Sequence, residues 1–177
     1  FHTGNGVDQD IAEGDMWAGK AEEGGDVGSQ TAIARAYDFG IGVDVDHRQT
    51  VKWLHKAAAQ DDDEAQFQLG VLWQEGKGVH TDRKKALSLW LKAAEQGHPL
   101  AQTNVAAAYH TGGNGVQQSY TQAVEWLRKA AAQNCHLAQV NLGRAYEDGH
   151  GVQKDHRAAV GWWEKAAAQG CPTAQCY

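Results

Sequence analysis

The sequence predicts an all-α fold built from stacked helical hairpins, and three recurring signals support it. Ala-Gln pairs begin at residues 65, 101, 138 and 174, which is a spacing of 36, 37 and 36 residues. Gly-Val pairs mark the middle of each copy, and Lys-Ala-Ala marks its end. Self-similarity at this period is typical of solenoid proteins, in which each repeat buries its apolar face against its neighbours. The pattern therefore predicts an α-solenoid.

We treat residues 1–177 as one repeat domain. Phe1 is equivalent to Tyr37 of the next copy, and Tyr177 is only four residues into another copy. We therefore expect the sequence to be part of a longer polypeptide. The partial and full copies are 1–28, 29–64, 65–100, 101–137, 138–173 and 174–177.

The first helix of each hairpin is predicted from an apolar residue followed four positions later by an aromatic one, which places both on one face. A small residue lies between them, and glycine there costs about 1 kcal/mol relative to alanine. Its recurrence indicates close helix approach, and Gly-x-Gly-Val then ends the helix. The predicted ranges are 30–39, 66–75, 102–111 and 139–148, with Ala34, Gly70, Ala106 and Gly143 as the small residues.

The second helix follows a residue that can cap it through a side-chain oxygen. Its predicted core contains a branched residue, Val51, Leu87, Val124 or Val160, and then a pair that includes tryptophan. A lysine in the last turn is favourable at the negative helix end. The predicted caps are Asp10, Asp46, Asp82, Ser119 and Asp155, and the residues that stop the helix are Gly25, Asp61, Gly97, Asn134 and Gly170.

Charge excludes one class of partner. The formal net charge is −6, and residues 1–28 alone carry seven acids against one lysine, so the remainder is neutral. Nucleic-acid binding requires a basic footprint, which is lacking. No apolar run approaches the roughly 18 residues that predict a membrane-spanning helix. We therefore predict no nucleic-acid partner and no direct membrane insertion.

Together these signals give the pattern A-Q-x-x-L-G-x-x-Y-x-x-G-x-G-V-x-x-D-x-x-x-A-x-x-W-W-x-K-A-A-x-Q-G. It closely resembles the Sel-1-like repeat, a tetratricopeptide-related helical hairpin, over essentially the whole chain. The resemblance implies a right-handed superhelix whose first helices line a concave face. It also implies a non-catalytic scaffold or adaptor for other proteins, within a larger complex and without a cofactor.

The histidines and cysteines are the residues that could contradict a non-catalytic role. Nine histidines fall mostly on unrelated repeat positions, so we expect no convergence into a catalytic or metal site. A His98–Cys135–Cys171 row would need ligands within about 2.0–2.3 Å of one metal ion, which stacked helices disfavour. A Cys135–Cys171 disulfide is disfavoured by the same spacing, and cysteine pairs within repeats are lacking, which favours a reducing compartment. We therefore predict no catalytic and no metal-ligating residue.

The candidate partner-binding residues are those of the first helices that lie off the core stripe and differ between copies. Two alternatives stay open. One is an enzyme, such as a hydrolase, that uses His, Cys and acidic residues of the groove, and the other is a small-cofactor binder. The partner-binding candidates are Arg35, Asp38, Phe39, Gln74, Glu75, His110, Arg144, Glu147 and Asp148.

Overall fold

The structure is a computed structural model that describes residues 25–170. Within that range it contains eight α-helices and no strand, which confirms the all-α prediction. The chain divides into two compact units, Phe1–Asp82 (unit 1) and Arg83–Tyr177 (unit 2). Unit 1 contains α1 (Val27–Phe39), α2 (His47–Ala58) and α3 (Asp63–Glu75), whereas unit 2 contains α4 (Arg83–Glu95), α5 (Pro99–Thr111), α6 (Tyr120–Ala132), α7 (His136–Asp148) and α8 (His156–Ala168).

Successive helices pack on one another within each unit, as hairpin stacking requires. In unit 1, α2 packs on both α1 and α3; in unit 2, the series runs from α4 to α8. In addition, α5 packs on α7, so the first helices of adjacent hairpins touch directly. The handedness of the superhelix stays a prediction.

The predicted caps of the second helices are confirmed at three positions. The Asp46 carboxylate accepts from the amides of Arg48 and Gln49, and Ser119 and Asp155 cap α6 and α8 in the same way. These bonds satisfy amides that have no partner inside the helix. Asp10 lies outside the described residues.

The first helices begin three residues earlier than predicted, at positions 27, 63, 99 and 136. The prediction was wrong because it begins each first helix at the recurring Gln, whereas a capping residue four positions earlier already starts the helix. Asp26, Asp62 and His98 are instead N-caps, each accepting from the amide three residues on. For His98, Nδ1 accepts from Ala101 at 3.1 Å.

The predicted helix stops are confirmed in the backbone. Asp61 and Asn134 adopt φ of 64° and 60°, in the left-handed region that few side-chain-bearing residues enter. At the end of α7, Gly149 adopts φ of 77° and donates its amide to Ala145 O. The two helices of a hairpin can therefore turn back on each other within a short loop.

The core lies between the helices and contains one predicted tryptophan pair in full, whereas Leu89, Trp126, Trp162 and Trp163 of the other pairs are half-buried. Trp53, Leu54 and Trp90 are each no more than 3% exposed. The prediction of Val160 as a core residue was wrong, since its side chain is 48% exposed whereas its counterpart Val124 is buried. Val124 is buried because it packs in a cluster with Leu142 of the following hairpin, and Val160 is not part of that cluster.

The lysine in the last turn of α2, α6 and α8 lies over a tryptophan ring, a contact that was not predicted from its helix-end position. Lys56 Nζ lies 4.1 Å from the ring centroid of Trp53, three residues earlier on α2. Lys129 and Lys165 cover Trp126 and Trp162 at 3.9 and 4.1 Å. A cation over an indole face is attracted by the ring quadrupole.

A series of glutamines links the two helices of each hairpin and connects a hairpin to the one before it. Gln102 is 3% exposed, and its Nε2 donates to Ala94 O of the preceding helix at 3.1 Å. Its Oε1 accepts from Gln133 Nε2, 31 residues later, at 3.1 Å. The equivalent pairs are Gln60–Gln30 at 3.0 Å and Gln169–Gln139 at 2.8 Å. This glutamine relay explains why Gln recurs at both the beginning and the end of each copy.

Candidate partner-binding grooves

Unit 2 contains a groove of about 770 Å³ between α5, α6 and α7. Its floor is formed by the buried side chains of Val124 and Leu127, which are 3% and 7% exposed. Alanines line its walls on the three helices and leave the space open, and Trp163 closes one side. The volume is within the range of pockets that hold small ligands or single partner side chains.

The rim of this unit 2 groove is charged and polar. His110, Arg144, Glu147 and Asp148 line it, and all four are among the residues that the sequence predicted. Glu147 Oε2 is also 2.7 Å from His156 Nδ1, at the start of the next helix. The groove can therefore offer both charge signs around an apolar floor.

Two histidines, His110 and His150, meet at one end of the unit 2 groove, a contact that their unrelated repeat positions did not predict. The expectation of no catalytic or metal site stays a prediction. The rings of Tyr120 and His150 are stacked, 4.3 Å apart and 5° from parallel. His110 meets both rings edge-on, at 5.1 Å from Tyr120 and 5.6 Å from His150. The insertion-bearing loop of the third copy and the loop of the fourth bring these distant sequence positions together.

Backbone proximity holds this aromatic cluster in place. Gly151 has a φ of 75°, and a Cβ there would collide with the carbonyl oxygen of Tyr120. Glycine is therefore required for the loop that carries His150 to approach the first turn of α6. The Gly-x-Gly-Val signal was interpreted only as a helix stop, which is why the sequence did not reveal the cluster.

Unit 1 contains a groove of about 690 Å³ that is bordered by α1, α2 and α3. Phe67, Leu72 and Leu54 contribute apolar surface to it. The predicted residues Arg35, Asp38, Phe39 and Glu75 line it as well. The two units thus each present a groove with apolar and charged walls.

Two charged residues of the unit 1 groove are engaged by neighbours. Asp38 Oδ1 is 3.2 Å from His47 Nδ1. Glu75 Oε2 is 2.8 Å from Lys77 Nζ, and this hydrogen bond and charge raise the pKa of the Lys77 ammonium. The Glu75–Lys77 pair is exposed and contributes little to stability in water, whereas the Asp38–His47 pair is half-buried.

Eight of the nine predicted residues thus line one of the two grooves. The exception is Gln74, which is exposed on α3 and does not line either groove. Whether any of the nine contacts a partner stays a prediction.

The histidines and cysteines of the described residues form neither a metal site nor a disulfide bond. Among residues 25–170, no group of three or more His, Cys, Asp or Glu side chains could hold a metal ion. His98 acts as a helix cap, and buried Cys135 is a free thiol 3.7 Å from Thr103 Oγ1. Cys171 and Cys176 lie outside the described residues. The prediction that Cys135 and Cys171 form no disulfide bond therefore stays a prediction. None of the described helices has the length and apolar character needed to cross a bilayer.

Comparison with protein families identifies the repeats. A model described as the Sel1 repeat matches residues 1–26, 27–62, 63–98, 99–135 and 136–171. The chain belongs to the Sel1 repeat family. Four of the Sel1 copies begin at the first residue of α1, α3, α5 and α7. Sel1 repeat proteins are typically protein-interaction scaffolds and are generally non-catalytic.

Solved structures agree with the Sel1 assignment. A protective antigen with this fold, c5321 of uropathogenic Escherichia coli, is 36% identical with a TM-score of 0.83, over 89% of this chain and 33% of that protein. A Sel1 repeat protein from Oxalobacter formigenes is 32% identical with a TM-score of 0.79, and the match covers 87% of this chain and 63% of that protein. Cysteine-rich protein B of Helicobacter pylori shares the fold, with 24% identity and a TM-score of 0.56. The match covers 70% of this chain and 93% of that protein.

The chain spans about a third and about two thirds of the length of the first two of these proteins. A comparison with curated protein sequences gives no match.

Proposed function

We propose that this Sel1 repeat chain is a non-catalytic scaffold that holds segments of partner proteins, as an accessory subunit of a larger complex. The observation that carries the proposal is the unit 2 groove, with its buried apolar floor and a rim of His110, Arg144, Glu147 and Asp148. Apolar anchoring with polar orientation at the edge is typical of protein-recognition surfaces.

Variation between copies supports recognition over a purely structural role. The position of His110 is occupied by Asp38, Gln74 and Glu147 in the other copies. The relay glutamines, in contrast, recur in every full copy. Because the framework is held by recurring residues, the groove positions can differ between copies without disturbing the hairpins.

The hydrolase alternative has less support. A nucleophile needs a base within hydrogen-bonding reach, yet in residues 25–170 neither the His110 ring nor the His150 ring is hydrogen-bonded to a hydroxyl, thiol or carboxylate. The small-ligand alternative draws on the stacked Tyr120 and His150 rings beside the groove. The same groove variants test both.

The decisive experiment is affinity capture with the intact parent protein, followed by mass determination of what co-purifies. We expect a stoichiometric protein partner that is lost in the triple variant Arg144→Glu, Glu147→Lys, Asp148→Lys, with helix content unchanged by circular dichroism. The matched control is Arg157→Glu with Glu164→Lys, because these α8 residues are exposed and do not line the groove. Full partner capture by the triple variant would sink the groove proposal. So would a small molecule as the sole bound species.

A further inference from the structure

Three apolar side chains are exposed together on the first described hairpin. Phe39, Ile41 and Val45 are 68%, 64% and 56% exposed, at the end of α1 and in the loop that follows. We refer to these three residues as the apolar edge. Exposed apolar residues scattered singly are ordinary, whereas three within seven positions of one helix end and its loop are a candidate interaction surface.

The apolar edge is specific to this copy. The C-terminal glycine of each first helix faces the residue equivalent to Val45, which is Thr81 in the next copy, then Gln118, then Lys154. The other two positions are likewise occupied by residues that are not hydrophobic. The equivalents of Phe39 are Glu75, Thr111 and Asp148, and those of Ile41 are Lys77, Gly113 and His150. The hairpin therefore forms without apolar residues at these positions, so its geometry does not require them.

The apolar edge continues into the unit 1 groove. Phe39 lines that groove together with Phe67 and Val71 of α3. An apolar segment lying along Ile41 and Phe39 would thus reach further apolar surface inside the groove, where burial contributes most to binding.

One charge of this groove is left for a partner to satisfy. Asp38 is paired with His47, Glu75 is paired with Lys77, and the Glu64 carboxylate accepts from Gln68 Nε2. Arg35 lies one turn before Phe39 on the same face of α1 and lines the groove. It is exposed and has no ion pair or hydrogen bond from its guanidinium among the described residues. Guanidinium groups bind carboxylates in a bidentate geometry.

We infer that the apolar edge and the unit 1 groove dock a partner segment that carries large apolar side chains next to a carboxylate. The apolar side chains cover Phe39 and Ile41, and the carboxylate pairs with Arg35. The exposed acid of the same loop, Asp44, does not line the groove and disfavours a partner with several acids there. This inference rests on the proposed scaffold function and gives the chemistry of one of its ligands.

The test is an array of ten-residue peptides in which Leu, Ile or Phe and Asp or Lys are permuted, probed with the full chain. The tightest peptides are then measured by fluorescence anisotropy. We expect Asp-bearing apolar peptides to bind more tightly than Lys-bearing ones, and serine-for-apolar peptides not to bind. Preference for Lys, or no binding of any peptide, overturns the inference.

Two variants connect this preference to the surface. The triple variant Phe39→Glu, Ile41→Lys, Val45→Thr installs the residues that the next copy carries at the same positions, so the hairpin is expected to fold. It should weaken binding by about tenfold or more. Arg35→Glu should reverse the preference from Asp to Lys, whereas the control Arg48→Glu, an exposed arginine outside the groove, should not. Unchanged affinity of the triple variant, or unchanged preference of Arg35→Glu, overturns the inference.

Other occupants are excluded in parallel. A concentration-dependent dimer, measured by sedimentation, that the triple variant loses would make a second copy the occupant. Co-sedimentation with neutral phosphatidylcholine vesicles would make it a lipid surface. Either result overturns the inference. If partner capture depends on Arg144 and Glu147 but not on the apolar edge, this inference fails and the proposed function stands. If neither a protein partner nor any peptide binds, both fail.

Discussion

Trp163 donates its indole N–H to the backbone oxygen of Val140 at 3.2 Å, and its ring lies against Gly143. The contact joins α8 to the preceding first helix and places the same indole at the side of the unit 2 groove. Close approach of the two helices is possible only because Gly143 has no side chain. A small residue at this position in the sequence had indicated such an approach.

Replacing Gly143 with alanine should destabilise the protein. The added Cβ would collide with the Trp163 indole, and overpacking of this kind costs about 1–3 kcal/mol. Alanine contributes roughly 1 kcal/mol through helix propensity, so we expect a net loss of up to about 2 kcal/mol. Urea unfolding followed by circular dichroism measures the difference. A more stable Gly143→Ala protein would contradict the described contact.

The opposite result is expected for Gly161→Ala, on the partner helix α8. A Cβ there meets nothing within 4 Å, so only the backbone effect remains. We expect stabilisation of about 0.5–1 kcal/mol in the same urea experiment. Loss of stability would mean that the surface of α8 is occupied in solution.

Gln133→Ala should cost about 1–3 kcal/mol, because it leaves the buried Oε1 of Gln102 without this donor. The matched control is Gln122→Ala on the same helix, an exposed side chain that should change stability by less than about 0.5 kcal/mol. A double-mutant cycle with Gln102→Leu isolates the pair. Equal costs for Gln133→Ala and Gln122→Ala would show that the relay is not stabilising.

The contribution of the Asp26 N-cap of α1 to the stability of the protein should depend on pH. The Asp26 carboxylate accepts from Ser29 Oγ and from the Ser29 amide, both at 2.8 Å, and these bonds hold its pKa below the usual value of about 3.9. Because the pKa is lower in the folded state, the stabilisation is complete above that usual value and is lost as the pH falls through the folded pKa. The stability difference between wild type and Asp26→Ala should therefore shrink in acid. A difference that grows below pH 4 would contradict this assignment.

Lys129→Gln should destabilise by about 0.5–1 kcal/mol more than Lys92→Gln. Both lysines are at the same helix-end position, but Lys129 covers Trp126, whereas Leu89 stands where the ring would be for Lys92. The comparison removes the helix-dipole effect that the two lysines share. Thermal unfolding of the two variants measures the difference, and equal shifts would leave the dipole as the sole reason for the recurring lysine.

Much of the fold was predictable because the chain repeats its local signals. Asp46, Ser119 and Asp155 cap helices, and Asp61 and Asn134 adopt left-handed angles, as expected from residue type and register. Eight of the nine predicted site residues line a groove, because the two faces of an amphipathic helix can be separated from spacing alone.

The remaining features depend on contacts between copies, which periodicity does not encode. The meeting of His110, Tyr120 and His150 depends on close backbone approach between Gly151 and Tyr120 of the preceding copy. Val160 has the sequence pattern of a core residue but lacks the packing that buries Val124. The early starts of α5 and α7 were not predicted because His98 and Cys135, at the cap position, are not typical capping residues.

The glutamine relay has a consequence for how the array comes apart. Each buried amide is satisfied by a group on the hairpin before it and by a glutamine at the end of its own hairpin, as Gln102 is by Ala94 and Gln133. If one hairpin unfolds, the buried glutamine amide of the next hairpin loses a hydrogen-bond partner, which is unfavourable. This cost couples the stability of neighbouring hairpins, in addition to their apolar contacts. Melting from the ends in small steps is thereby disfavoured, and neighbouring hairpins are expected to exchange their amide hydrogens as one cooperative block.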